Sequence, residues 1–229
     1  MTRRRSRASR PCTGSYIRAT RTASSKFIHL PGAPLAHEAR PLYKTCPMSR
    51  WAGITGLVRE LKRCEDAGHL TGALILAYVC IDTMAFLSLP EGESEQTRTD
   101  FIRWVDTYLK AHDDQPYQYR GIDVYAARCA VLHAFSSETE RHRKDPTVRV
   151  FGYHSGGKHA VNPAKAPRVV MIGAKSFLND VVLAVEAFLR DCEANDALRA
   201  RVDARLDKVL QTFPITAPGS TAPADTGRT

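Results

Sequence analysis

From Ser49 onward the apolar positions of this chain fall at helical spacing. Trp51, Ile54, Leu57, Val58 and Leu61 recur every three or four residues, and Ala67-Gly68 closes that first predicted helix. His69 to Leu89 is apolar nearly all round, the pattern of a helix surrounded by others. A third helix is predicted from about Ser94, with Phe101, Ile102, Val105, Tyr108 and Leu109 on one stripe, and Asp113-Asp114-Gln115-Pro116 stops it. Asp123 is placed to cap a fourth, whose inward stripe is Val124, Ala127, Val131 and Ala134 or Phe135. The charged run Glu138 to Lys144 reads as the solvated end of that helix.

The period then changes from helix to strand. Val148 to Tyr153 alternates, Arg168 to Ile172 is a second run, and the Gly-, Lys- and Pro-rich segment 154–167 joins them, so a β-hairpin is expected at about 147–173. Helix returns near Ser176 with Phe177, Val181, Leu183, Ala184, Ala187 and Phe188 on its apolar face. A last amphipathic helix is predicted over Asp196 to Phe213. The expected fold is mainly α: an antiparallel helical bundle at 48–213 carrying an inserted hairpin.

Charge is distributed unevenly enough to change the functional reading. Of the 229 residues, 33 are Lys or Arg and 24 are acidic, a formal net charge of +9. Residues 1–47 hold ten of those cations and one acid, Glu38, so that segment alone carries the excess and the remainder is balanced. A nucleic-acid-binding domain is therefore not implied by net charge. Residues 1–47 read as a disordered basic tail, with Met48 as an alternative start that would make them a start-site artefact. Residues 214–229, rich in Pro, Thr and Ala, read as a second tail. No signal-type apolar run follows Arg3-Arg4-Arg5, and the six cysteines contain no C-x-x-C, a usage that suggests a cytoplasmic protein. Leu70 to Leu89 is long enough for a membrane, but Asp82, Thr71, Thr83 and Ser88 interrupt it, so a core helix and no membrane association are expected.

The fourth helix carries the candidate chemistry: Tyr125-Ala126-Ala127-Arg128-Cys129-Ala130-Val131-Leu132-His133-Ala134-Phe135. A guanidinium cannot shed its charge, so an arginine in such surroundings needs a partner or a polar cleft. Five residues rotate a helix by about 140°, which places Arg128 and His133 at the two flanks of one surface. Asp82 is the natural acidic partner. Two readings follow from the residues alone: an Asp82–Arg128 pair as structural glue with His133 in the core, or a shared polar groove.

This Arg-x4-His spacing on a late helix of a bundle resembles the HEPN superfamily (higher eukaryotes and prokaryotes nucleotide-binding domains), over roughly residues 48–139 and the helix from Ser176. The resemblance implies a metal-independent endoribonuclease or toxin of a toxin–antitoxin pair, with a composite site at a homodimer interface and a cognate antitoxin as partner. It implies Arg128, His133 and Asp82 as catalytic residues. The ribose 2′-hydroxyl would attack the adjacent phosphorus, with His133 moving the proton, Arg128 holding the phosphate and Asp82 orienting one of them. Cys129 follows the arginine where the family commonly has a polar residue, and Phe135 stands where some toxin members carry tyrosine. The alternative is a non-catalytic dimerisation, nucleotide- or partner-binding module.

Weaker signals lie in the β segment. Gly152 to Lys158 matches G-x4-G-K after a strand, but His159 replaces the Ser or Thr a P-loop needs, and Asn162-Pro163 follows where a helix should start. Lys158, His159, Lys165 and Arg168 are candidate contacts to an RNA backbone. His142, His154 and His159 lack ligand spacing and read as surface histidines; no metal and no cofactor are expected.

Overall fold

The most apolar segment becomes the axis of the molecule. In the computed structural model, which describes residues 51–210 except Pro163, α2 (Leu70–Leu87) is packed against α1 (Ala52–Asp66), α3 (Arg98–Tyr108), α4 (Gly121–Ala134) and α6 (Ala174–Ala194). By length and composition α2 is the one described helix that could cross a membrane. Its hydrophobicity is instead taken up by neighbours: Ala73, Ala77, Tyr78, Cys80, Ile81, Met84, Ala85 and Leu87 are all buried. The remaining described elements are α5 (Glu140–Lys144), β1 (Val150–His154), β2 (Ala160–Val161), β3 (Val169–Gly173) and α7 (Asp196–Asp203), followed by one 3-10 turn at Leu206–Lys208. The described residues lie within the unit Arg40–Thr229. The expected basic tail, the start at Met48 and the C-terminal tail lie outside them.

Helix ends explain where the chain departs from its hydrophobic pattern. α3 begins at Arg98 rather than near Ser94, because Thr97 and Asp100 form a capping box: the Thr97 amide donates to Asp100 Oδ2 at 2.9 Å and the Asp100 amide to Thr97 Oγ1 at 3.4 Å. Asp123 is not the cap of α4. It sits in the first turn, fully buried, and accepts from Arg120 Nε and Nη2 at 2.6 Å, from the Tyr117 hydroxyl and from the Arg149 amide. The first amide of α4, on the buried Gly121, donates instead to Asp106 Oδ1 of α3 at 2.7 Å. A Cβ at Gly121 would lie 2.8 Å from Ile102 Cγ2 and the Ile102 carbonyl, so this glycine sets how closely α3 and α4 approach.

α4 stops where the sequence pattern would have carried it on. Phe135 adopts the left-handed conformation (φ 45°, ψ 46°), and the Ser136 amide turns back to the Ala130 carbonyl at 3.0 Å. Glu138 to Lys144 is therefore not the end of α4 but contains a separate short helix, α5. Within it His142 is buried: Nδ1 accepts from the Thr139 amide and Nε2 donates to the Arg149 carbonyl. The final helix is also shorter than expected. α7 ends at Asp203, and the chain turns so that the buried Arg205 donates to the carbonyls of Pro90 and Glu93. Leu183, expected inward on α6, is 51% exposed.

The strand segment is not a hairpin. β1 and β3 pair parallel, Val150 opposite Val169 through His154 opposite Gly173, and β2 pairs antiparallel on the other edge of β3, Ala160 opposite Met171, giving the order β1-β3-β2. After β1 the chain skips one strand position, lays down β2, and returns to fill the gap with β3. The connection is held open by the α3–α4 loop, where Gln115 Oε1 accepts from the His159 amide at 2.7 Å and Gln115 Nε2 donates to the Gly157 carbonyl. Phe151, Val170 and Ile172 join the helical core, and the hydroxyls of Tyr78 and Tyr153 hydrogen-bond α2 to β1.

Candidate functional site

Arg128 and Asp82 come together because α4 packs across α2. Arg128 Nε donates to Asp82 Oδ2 at 2.6 Å, with the two side chains 22% and 21% exposed. Gln96, from the loop before α3, donates to the other carboxylate oxygen at 3.4 Å. Burial pushes the Asp82 carboxyl above its ordinary value against the opposing pull of Arg128, Gln96 and His133. Burial also works against the Arg128 charge, but the hydrogen bond and attraction of Asp82 prevail and hold it more firmly protonated than usual.

His133 is not in the core. It is exposed on the last turn of α4, and its Nε2 lies 2.8 Å from Arg128 Nη1. The two side chains do not merely flank a surface, as rotation along the helix suggested: the length of the arginine lets its guanidinium span from Asp82 to the imidazole. Because a guanidinium can only donate, Nε2 must be the acceptor, which puts the ring proton on Nδ1 in this arrangement. The result is a line of three groups, Asp82, Arg128 and His133, with Arg128 Nη2 left available on the guanidinium.

The Asp82–Arg128 pair lies in the wall of a cleft of about 890 Å³ between α1, α2, α4, the start of α3 and the segment after α7. Val79, Phe86 and Tyr125 contribute apolar lining, and Arg59, Arg98 and Lys208 contribute charge. These last three were not singled out from sequence, and neither was Gln96. A usable signal was present at Arg98, a cation in the first turn of α3, where a helix dipole disfavours positive charge.

The candidate RNA contacts of the β segment have a different fate. His159 is 1% exposed; its Nδ1 accepts from the Gly173 amide at 3.1 Å, so Nε2 donates to the Tyr119 hydroxyl at 2.8 Å, which in turn donates to Asp180 at 2.9 Å. Burial lowers the His159 pKa, and the same cause lifts Asp180 to about 6. This buried chain stitches the β2 connection to α6, and His159 is not placed to contact RNA. Lys158 is engaged with the carboxylate and carbonyl of Asp114 at 2.7 Å, and Arg168 donates to the carbonyls of His142, Asp145 and Val148. Lys165 is exposed. None of the four borders the cleft that Arg128 lines. His142 and His159 are thus buried hydrogen-bonding groups rather than surface histidines. Among the described residues no group of three or more His, Cys, Asp or Glu could hold a metal.

Compared with models of protein families, with curated proteins and with solved structures, the chain has no match in any of the three.

Proposed function

We propose that this protein is a HEPN-like, metal-independent endoribonuclease or toxin-like RNA-targeting protein whose reacting groups are Arg128 and His133. The observation that carries this reading is the 2.8 Å contact between an exposed His133 and Arg128, which lines the cleft, with Asp82 holding the guanidinium on its other side. Arg128 offers Nη2, and can turn Nη1, toward two oxygens of the scissile phosphate. Taking the phosphate withdraws Nη1 from His133 and frees the Nε2 lone pair to accept the ribose 2′-proton as the 2′-oxygen attacks phosphorus; the P–O5′ bond then breaks, and the 5′-oxygen leaves as the alcohol with a proton from the imidazolium or solvent. Asp82 holds the guanidinium in place and does not touch the substrate. In a homodimer, the same face of a second copy would bring a second Arg128–His133 pair across the two-fold. Phe135, 71% exposed two residues beyond His133, provides an apolar contact for such an association.

The test is cleavage of a labelled RNA in the presence of a chelator. The intact protein should cut RNA and leave a 2′,3′-cyclic phosphate, and should not cut the 2′-deoxy equivalent. His133→Ala should lose cleavage while keeping the circular-dichroism spectrum and oligomeric state of the parent. Equal cleavage by the variant refutes the assignment.

A second reading rests on the Asp82–Arg128 pair itself. An ion pair four-fifths buried between two core helices also serves a non-catalytic dimerisation or partner-binding module, in which Arg128 contributes only stability. That reading predicts no RNA cleavage by the intact protein under any salt condition.

A further inference from the structure

We infer that the cleft beside Arg128 is a docking groove for single-stranded RNA, in which Arg59, Arg98 and Lys208 hold phosphates and the apolar floor receives an unstacked base. The inference rests on the ribonuclease reading for the identity of its ligand, but on different residues for its support. Seven charged side chains line the cleft, five cationic and two anionic. Two of the cations are neutralised where they stand, Arg63 by Glu60 at 2.6 Å and Arg128 by Asp82. Arg59, Arg98 and Lys208 have no acidic partner among the described residues, and all three are exposed.

They come from three separate parts of the fold: α1, the first turn of α3, and the 3-10 turn after α7. Three like charges converging on one concavity repel one another unless an anion is shared between them. Between them lie Val79, Phe86 and Tyr125, partly buried side chains that offer π and aliphatic surface. Phosphate-binding cations around an aromatic and aliphatic floor are what a flexible single strand needs. A stacked duplex cannot turn its bases into such a groove. The volume, about 890 Å³, is ample for a base with its flanking sugar-phosphate. Arg128 lines the same groove and touches His133, so a strand lying in it can present a phosphate to that pair.

The experiment uses the full chain carrying His133→Ala, so that the probe survives if the nuclease reading is right. The probe is a fluorescein-labelled oligouridylate of about a dozen nucleotides, read by anisotropy over a salt series. Three phosphate contacts predict a slope of log K against log salt near −2 for a single strand. Adding Arg59→Ala and Arg98→Ala together should weaken binding at least tenfold and flatten the slope by about 1.4. A duplex of the same length should bind at least tenfold more weakly than the single strand. Unchanged affinity and slope in the double variant overturn the groove, as does equal binding of the duplex. Because Arg59→Ala and Arg98→Ala leave Arg128 untouched, and cleavage is compared separately between the intact chain and His133→Ala, the two failures separate. Cleavage lost at His133 with binding unaffected at Arg59 and Arg98 removes the groove and spares the nuclease. Binding lost at Arg59 and Arg98 with cleavage unaffected by His133→Ala does the reverse.

Discussion

Replacing Arg128 with alanine isolates what the Asp82–Arg128 pair does for the fold. The carboxylate would be left with one long hydrogen bond, from Gln96 at 3.4 Å, in surroundings whose burial already raises its pKa. Exposed ion pairs contribute roughly 0.2–1 kcal/mol, and breaking a fully buried pair costs about 3–5 kcal/mol because an uncompensated charge remains. With both side chains about one-fifth exposed, this pair falls between those limits, and the truncation should cost about 2 kcal/mol. For a domain of this size that lowers the midpoint of thermal unfolding by roughly 4–8 °C. The informative measurement is a double-mutant cycle in urea. Asp82→Ala added to Arg128→Ala removes the orphaned charge, so the double variant should be more stable than Arg128→Ala alone, with a coupling energy of about 1–2 kcal/mol. The deficit of Arg128→Ala should also shrink on acidification, since the orphaned carboxylate then takes up a proton in the folded state. Additivity within about 0.3 kcal/mol, or an unchanged midpoint for Arg128→Ala, would show that the two groups are not coupled and refute this reasoning.

Two further expectations concern other parts of the molecule. Burial raises the Asp180 carboxyl from 3.8 to about 6, so the folded state holds this proton more tightly than the unfolded chain. Its contribution to stability is therefore fully present below about pH 4 and is lost as pH rises to about 6, by up to about 3 kcal/mol; Asp180→Asn should flatten that part of the stability–pH curve, and an unaltered curve would show that Asp180 is not its source. Phe135 is in the left-handed region at the end of α4 with its ring largely in solvent. Phe135→Gly should therefore raise stability by about 0.5–1 kcal/mol in chemical denaturation, and a loss of stability would mean the ring is held against something, a second copy included.

The order of the helices, the central place of α2 and the Arg-x4-His run were legible in the chain because each depends on local periodicity. A helix that is apolar on every side needs neighbours on most of them, and Leu70–Leu87 is packed against α1, α3, α4 and α6, with Val79 and Phe86 left at the cleft. What the chain could not show by itself depended on groups distant in sequence. The strand order follows from Gln115, on the α3–α4 loop, reaching the connection around His159, a constraint that neither strand's own alternation contains. His159 reads as a polar loop residue until Gly173 and Tyr119 supply both its hydrogen bonds and allow its burial. The same holds for the site. Arg128 and His133 are visible together as a spacing, but whether they touch depends on Asp82, 46 residues earlier, drawing the guanidinium across α4. Arg59, Arg98 and Lys208 carry no shared pattern along the chain. Only packing of α1 against α2, and the turn after α7 that Arg205 pins to the Pro90 and Glu93 carbonyls, brings the three to one cleft. Periodicity decides which face of an element is buried; which charged groups share a cleft is decided by how those faces are stacked.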